Sequence, residues 1–386
     1  MDISYIINHL GEDRENYQGS INPPIHQTSN FAVDTVEQLR FKLQHEFESP
    51  FYTRGNNPTV AVLRKKVAAL EGTEDALIFS SGSAAIAASV MNVVKNGDHV
   101  VCVQKPYGWT NFLLNQLLVH YGVSTTMIDG RYPENFRNAI QPNTKLFFLE
   151  TPNTMTFELQ DIEAVCKIAK ENNITTILDN SFSTPLFQQP AAYGVDIICH
   201  SGTKYFSGHS DIVAGVVCGT TERMKLIFKS EFMCLGANIS PHDAAAMIKG
   251  LRTLPIRVEQ SARTAAKVAF FLEYHNKVKK IHWPFSNTFP QKELAKKQMK
   301  NCGGLMSIEL DVTDFSQVEK FCNSLKYFLL ATSWGGFESL AFPICAFSKD
   351  KNSHSHHLPW NLVRLYIGLE DAEILIADLD HALEKI

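Results

Sequence analysis

Three short β-branched runs stand close together in the middle of the chain, at 175–178, 195–199 and 212–217, with polar residues crowded at their ends. The first closes on Asp179; beyond the second come Ser201, Thr203 and Lys204, then Ser207, Gly208 and His209. Upstream, strand-like runs alternate with helical patterns. A helix at 60–70, apolar at 60, 63, 67 and 70, stops at Glu71 and Gly72. The strand 76–80 turns at Ser81 and Gly82 into a small-residue helix that begins at Ser83 and runs to about 94. Strand 99–104 ends before Lys105, Pro106, Tyr107 and Gly108, and helix 111–120 follows. Strand 145–150 leads into Thr151, Pro152 and Asn153, and helix 161–172 returns to the central stretch. This alternation predicts an α/β fold whose mostly parallel sheet is covered by helices on both faces. Ligands in such sheets lie beyond the carboxyl ends of the strands. Gly82, Tyr107, Glu150, Asp179 and the turn from Ser201 to Lys204 are therefore expected on one edge.

The chain's two ends read differently. Residues 1–55 show no sustained period, and INPPIHQTSNF, with two prolines, reads as an extended arm that buries little by itself and contacts a neighbouring subunit. FYTRGNNPTV is a Gly/Asn/Pro-punctuated loop. After about 232 come long helical patterns at 241–275, where Pro255 is expected to kink or divide the helix. Strand-like pieces at 304–310 and 361–367 flank a helix at 315–327. The expected division is an arm (1–55), a large ligand-binding domain (56–234) and a smaller C-terminal α+β domain (235–386) lying over the open edge.

Composition narrows the function classes. With 386 residues, 45% hydrophobic content and a net charge of -4, the chain has the profile of a globular protein without a basic block for nucleic acid. Nothing approaches the ~20 apolar residues of a membrane span. The start, MDISYIINHLGEDREN, lacks a cationic leader pattern, so a cytoplasmic location is the default expectation. Eight scattered cysteines without a CxxC pair indicate reduced core thiols, and no metal site is expected. His354, Ser355, His356 and His357 read as a solvated loop.

The chemistry starts at Lys204 and Asp179. A lysine, with an ordinary pKa of ~10.4, must lose its proton to attack or hold a carbonyl. A carboxylate ending an apolar strand is costly unless a cation meets it. An amine and an acid at neighbouring strand ends would suit a cofactor with an aldehyde and a cationic ring nitrogen. Gly82 and Ser83, opening a helix after a strand, offer free N–H groups to an anion, and Ser201 and Thr203 add hydroxyl donors. Each has a plainer reading: Lys204 as a surface lysine, Asp179 as a turn cap, Arg54 in a surface ion pair, Tyr107 as packing. No GxGxxG or GxxxxGK[ST] pattern supports a nicotinamide enzyme or a P-loop.

Taken together, these segments resemble a known family. HSGTKYFSGHSD is similar to the S-x-T-K-Y-x-x-G-H-S-D signature of the Cys/Met-metabolism pyridoxal phosphate (PLP) enzymes, the trans-sulfuration group. FYTRGNNPT, FSSGSAAI, PYGWT, SWGGFESL and VRLYIGLED resemble that family's further motifs in the same order, across nearly the whole chain. The resemblance implies a PLP-dependent transferase fold of type I. It implies that Lys204 carries the cofactor and moves protons between substrate carbons, that Asp179 pairs with the ring nitrogen, and that Gly82, Ser83, Ser201 and Thr203 hold the phosphate. Tyr107 would stack on the ring, and Arg364 would receive the substrate carboxylate, with Ser333, Thr154 and Thr332 also at the substrate. Tyr52 and Arg54 would reach the phosphate of a neighbouring subunit in a homotetramer built from two dimers.

Departures from the family patterns bear on the reaction. Trp109 stands where methionine γ-lyases carry a cysteine, and Thr332 where cystathionine γ-synthases and γ-lyases carry a glutamate. ETPNTMTFE, with Thr154 in place of an asparagine, together with Trp334, is more similar to cystathionine β-lyases, whereas FYTRGNNPT is more similar to the γ enzymes. The expectation is a carbon–sulfur lyase that cleaves cystathionine by α,β-elimination to homocysteine, pyruvate and ammonia. The alternatives are cystathionine γ-lyase, cystathionine γ-synthase or methionine γ-lyase activity, with a non-catalytic PLP-binding paralogue more remote.

Overall fold

The computed structural model describes residues 1–347 and 358–386, so the His354, Ser355, His356 and His357 reading lies outside the described residues. Seven strands make the first sheet: β1 (Asp75–Phe79), β2 (His99–Val103), β3 (Ser124–Ile128), β4 (Thr144–Glu150), β5 (Thr175–Asp179), β6 (Ile197–Ser201) and β7 (Gly215–Gly219). Their order is β1-β7-β6-β5-β4-β2-β3. Pairs β2–β3, β2–β4, β4–β5 and β5–β6 are parallel, while β7 runs antiparallel to both β6 and β1. The expected mostly parallel sheet is therefore present.

Its strands are apolar on both sides because both faces are covered. Leu178 and Val101 belong to one buried cluster, while their chain neighbours Ile177 and Val100 belong to another. Full burial of each such side chain contributes about 1.5–3 kcal/mol before the entropy of ordering is counted. Helices Pro58–Glu71 and Ile162–Glu171 pack their apolar stripes on the first cluster, and Gly82–Val93 on the second.

A second, smaller mixed sheet follows: β8 (Val278–His282), β9 (Leu305–Leu310), β10 (Leu329–Leu330), β11 (Leu340–Pro343) and β12 (Leu362–Tyr366), in the order β10-β11-β12-β9-β8. Before it runs one helix of 33 residues, Pro241–Glu273, which contains Pro255 without dividing. Proline removes one ladder hydrogen bond there, but Leu251, Leu254 and Val258 are fully buried around it, and that packing keeps the helix continuous.

The beginning of the chain departs from the arm expectation. Residues Ile3–Asn8 form a helix whose Ile6 and Ile7, 2% and 5% exposed, join the core. The buried Lys66 fastens it, donating to the Ile6 and Ile7 carbonyls at 3.0 and 3.1 Å and pairing with Glu12 at 3.1 Å. Residues 18–30 are largely exposed. The pattern at 111–120 is a continuous helical path that widens to π geometry over Leu113–Leu117 and tightens to a 3-10 turn over Leu118–Tyr121. All eight cysteines are free thiols, and Cys234 is exposed. No helix among the described residues is long and apolar enough to cross a membrane.

Candidate active site

The parallel pairing brings the strand ends together. β4 and β5 pair in register with Glu150 opposite Asp179, and β5 pairs with β6, placing Asp179 beside the approach to Ser201. Ser181 ties these ends. It donates from its backbone N–H and its hydroxyl to Asp179 Oδ1, at 2.9 and 2.6 Å, and its Oγ accepts the Ser201 N–H at 2.6 Å. The Asp179 carboxylate is thus oriented by neutral donors on one oxygen, and its neighbour Lys204 adds a positive charge nearby.

At the end of β1, Ser81 caps the helix Gly82–Val93 by accepting the Ala84 N–H at 3.1 Å. The N–H groups of Gly82 and Ser83, lying before that bond, have no place in the helical ladder and face the same edge. Gly82 permits this closeness, since a Cβ there would lie 3.0 Å from Ser201 Cα.

The turn after β6 presents Lys204. Its backbone is fixed by Lys204 N to Ser201 O at 3.1 Å and Gly208 N to Lys204 O at 2.9 Å. Thr203 Oγ1 accepts the Ala214 N–H at 3.0 Å. The Lys204 Nζ donates to Ser333 Oγ at 2.5 Å, and the Ser333 carbonyl accepts from Arg364 Nη2 at 3.0 Å. Ser333 sits at φ 74 and is followed by Trp334 and Gly335, at φ 88. A Cβ on Gly335 would come within 2.9 Å of Lys204 Cα, so this loop from the second sheet presses directly on the lysine's backbone.

Electrostatics follow from burial. Desolvation, and secondly the charge of Arg364, pull the Lys204 amine down to about 8, against the opposing charge of Asp179. Burial pulls the Arg364 guanidinium down to about 10. Burial pushes Asp179 up, the Ser181 hydrogen bonds opposing it, and burial together with the charge of Asp179 pushes Glu150 up. The site therefore holds two carboxyls at the sheet edge and two cations facing them.

Lys204, Arg364, Asp179, Glu150 and Ser181 line one cavity of about 720 Å³. Of the residues expected at the site, Lys204, Tyr107, Asp179, Gly82, Ser83, Ser201, Thr203, Arg364, Ser333, Thr154 and Thr332 line it. Tyr52 and Arg54 do not. They lie on an exposed loop, with the Arg54 guanidinium 5.1 Å from the Tyr52 ring centroid. The lining suits PLP: Asp179 for a cationic ring nitrogen, a lowered amine for an aldehyde, and open N–H groups with Ser201 and Thr203 for a phosphate.

A protein-family model described as "Cys/Met metabolism PLP-dependent enzyme" matches residues 5–384. The chain belongs to that family. It is a PLP-dependent carbon–sulfur lyase of sulfur amino-acid metabolism. L-methionine gamma-lyase of Treponema denticola is 39% identical over 98% of this chain and 96% of its own length. L-methionine gamma-lyase of Fusobacterium nucleatum is 40% identical over 96% of this chain and 95% of its own. Cystathionine beta-lyase of Lactococcus lactis is 37% identical over 98% and 97%. The crystal structure of metB from Corynebacterium glutamicum superposes with a TM-score of 0.93 at 35% identity, covering 100% of this chain and 98% of that one.

The family's site in this chain has members that sequence reasoning left out. Ser181 orients Asp179 and stands two residues after it, the spacing of a side chain that returns to a preceding acid. Phe342, Phe347, Met155, Phe112 and Val213 line the cavity beyond the polar groups. They carried no signal in the sequence beyond apolarity.

Proposed function

We propose that this enzyme is a γ-lyase for an uncharged thioether amino acid, with methionine as the type substrate. The reading is supported first by the cavity's composition. Among its described lining residues the acids are Glu150 and Asp179, both at the sheet edge, while Trp109, Phe112, Met155, Val213, Phe342 and Phe347 supply the apolar surface. Thr332 lines the same cavity with no charge to meet a distal ammonium. Leaving a charged group unpaired in such surroundings costs several kcal/mol, whereas a thioether fits without penalty. The identities of 39% and 40% with methionine γ-lyases, against 37% with a cystathionine β-lyase, point the same way.

PLP, when bound, supplies an electron sink for negative charge developing on the substrate carbons. Lys204 holds the cofactor, and Asp179 keeps a proton on its ring nitrogen. The N–H groups of Gly82 and Ser83 and the hydroxyls of Ser201 and Thr203 would hold its phosphate, and Tyr107 would lie against its ring. Arg364 takes the substrate carboxylate through a charge-assisted pair. With the cofactor in place, Lys204 Nζ would take the proton from Cα and then one from Cβ, so that the Cγ–S bond can break and the thiolate leave. Ser333 Oγ, 2.5 Å from that nitrogen, aims it, while the Ser333 carbonyl steadies Arg364. Thr154 holds the sheet-edge end of the substrate pocket. Tyr52 and Arg54 serve the phosphate of the neighbouring subunit in a homotetramer of two dimers, which assigns residues 1–55 partly to the interface, 56–234 to the cofactor domain and 235–386 to the substrate-closing domain.

Incubation of the holoenzyme with methionine tests this. The expected products are methanethiol, ammonia and 2-oxobutyrate; no keto acid from methionine would end the proposal. Cystathionine β-lysis remains the second reading, favoured by the 37% identity over nearly the whole chain. Its signature would be pyruvate from cystathionine.

A further inference from the structure

Glu150 is a buried titratable group at the site for which the proposed chemistry has no task. It ends β4, is 6% exposed and lies opposite Asp179. Its two oxygens each take one neutral donor: Oε2 the backbone N–H of Tyr107 at 2.6 Å, and Oε1 the Thr154 hydroxyl at 2.5 Å. Around it stand Asp179 on β5, Cys102 on β2 and the Tyr107 phenol, with Lys204 and Arg364 lining the same cavity. A carboxyl beside another buried carboxyl is expensive to keep.

What the position delivers is control of Tyr107. The chain leaves β2 through Lys105, which at φ 56 adopts a left-handed conformation that costs a non-glycine residue ~1 kcal/mol or more. Such a bend persists because it is fastened. Lys105 Nζ reaches Glu158 at 2.9 Å, Asn153 Nδ2 donates to the Gln104 carbonyl at 3.4 Å, and Asn153 Nδ2 also meets Glu158 at 2.9 Å. Pro106 has no N–H to contribute, so Tyr107 carries the next backbone donor, and that donor goes to Glu150. Tyr107 is 41% exposed in this chain and its phenol meets Ser83, so the Glu150 bond holds the backbone end of a residue whose ring is only partly covered.

We propose that Glu150 is a positioning residue: by holding the Tyr107 N–H and the Thr154 hydroxyl at once, it seats the Tyr107 ring over the strand-end edge that Asp179 occupies. The inference rests on the reading of Tyr107 as the residue that stacks on the cofactor. Burial and the charge of Asp179 push the Glu150 carboxyl up. Glutamine imitates its acid form in shape and in having a donor and an acceptor.

The test is a double-mutant cycle on the holoenzyme, read by kcat/KM and by the visible circular dichroism of the bound cofactor, which reports how the ring is held. Glu150→Ala should lower kcat/KM by between about 10- and 100-fold and diminish the dichroic band with the cofactor still bound in full. In a Tyr107→Ala background the same change should cost less than about threefold, because the interaction it serves is already gone. Glu150→Gln should restore both readouts to within about threefold of the parent. Losses that multiply across the cycle, or a dichroic band unchanged in Glu150→Ala, would overturn the proposal. If Glu150→Ala fails to fold, Glu150→Met, close in volume and without the two acceptors, decides: a diminished dichroic band supports positioning, and a parental one contradicts it. Tyr107→Ala alone checks the underlying reading. If it leaves the band and kcat/KM as in the parent, the stacking assignment falls and the positioning role falls with it.

Discussion

The two halves of the cavity are built on different plans. The cofactor half comes from one sheet, whose parallel register sets Glu150 beside Asp179 and leads directly to Ser201 and Lys204. Its polar groups are joined by short hydrogen bonds through Ser181, and Gly82 lets the start of its helix come close to Ser201. The substrate half comes from separated segments: Trp109 and Phe112 after β2, Met155 after β4, Ser333 and Trp334 before β11, and Arg364 on β12. It offers one cation for a carboxylate, the neutral hydroxyls of Ser333 and Thr332, and otherwise mainly apolar surface. We read the contrast as a division of labour: the hydrogen-bonded polar half fixes what chemistry is possible, and the assembled apolar half selects the substrate side chain.

Breaking the polar half should therefore cost most. Lys204→Ala should lower kcat by roughly 1000-fold or more and leave no chromophore fixed to the chain by borohydride. A coloured, active variant would contradict the assignment.

Arg364→Ala should cost less and in a different parameter. Loss of a charge-assisted pair corresponds to roughly a 10- to 100-fold rise in KM, with the bound chromophore and kcat changed far less. Unchanged KM would remove Arg364 from the substrate site.

The lowered amine gives a pH dependence whose sign is fixed. Capture of PLP by the cofactor-free protein needs the neutral form of Lys204, which grows as pH rises through about 8. Capture at pH 7 should then run about tenfold below its plateau, since only about one amine in ten is neutral there. A rate still climbing steeply at pH 10 would show a lysine at its ordinary value of 10.5.

The smallest effect belongs to the apolar half. Thr332→Glu adds an acid facing the cavity and should raise kcat/KM for cystathionine relative to methionine by a few fold, as partly exposed charge pairs allow. A ratio unmoved would place the substrate's distal end elsewhere.

The same contrast explains what could be read from the chain before its structure. The runs ending at Glu150, Asp179 and Ser201 were legible because doubly covered parallel strands are continuous apolar segments and their ends carry the chemistry. The strand Ser124–Ile128 was missed because it lies at the sheet edge and reads Ser-Thr-Thr-Met-Ile, three polar residues in a row with only Ile128 buried. Pro255 misled because the burial of Leu251, Leu254 and Val258 outweighs one lost hydrogen bond. The docking of Ile6 and Ile7 depends on Lys66, roughly sixty residues away, a distance no local pattern spans. In the site, Phe342 and Phe347 carry no motif, and Glu150 was legible as a strand end but not as the anchor of Tyr107. That link runs from the Tyr107 backbone N–H to the Glu150 carboxylate, and a backbone donor's partner is not encoded in the donor's own side chain.

The most direct test of the apolar half as the selector is the ratio of kcat/KM for methionine to that for cystathionine, measured on one holoenzyme preparation with the keto acid identified in each case. The expected result is a ratio above one, with 2-oxobutyrate from methionine. A ratio well below one, with pyruvate released from cystathionine, would contradict it.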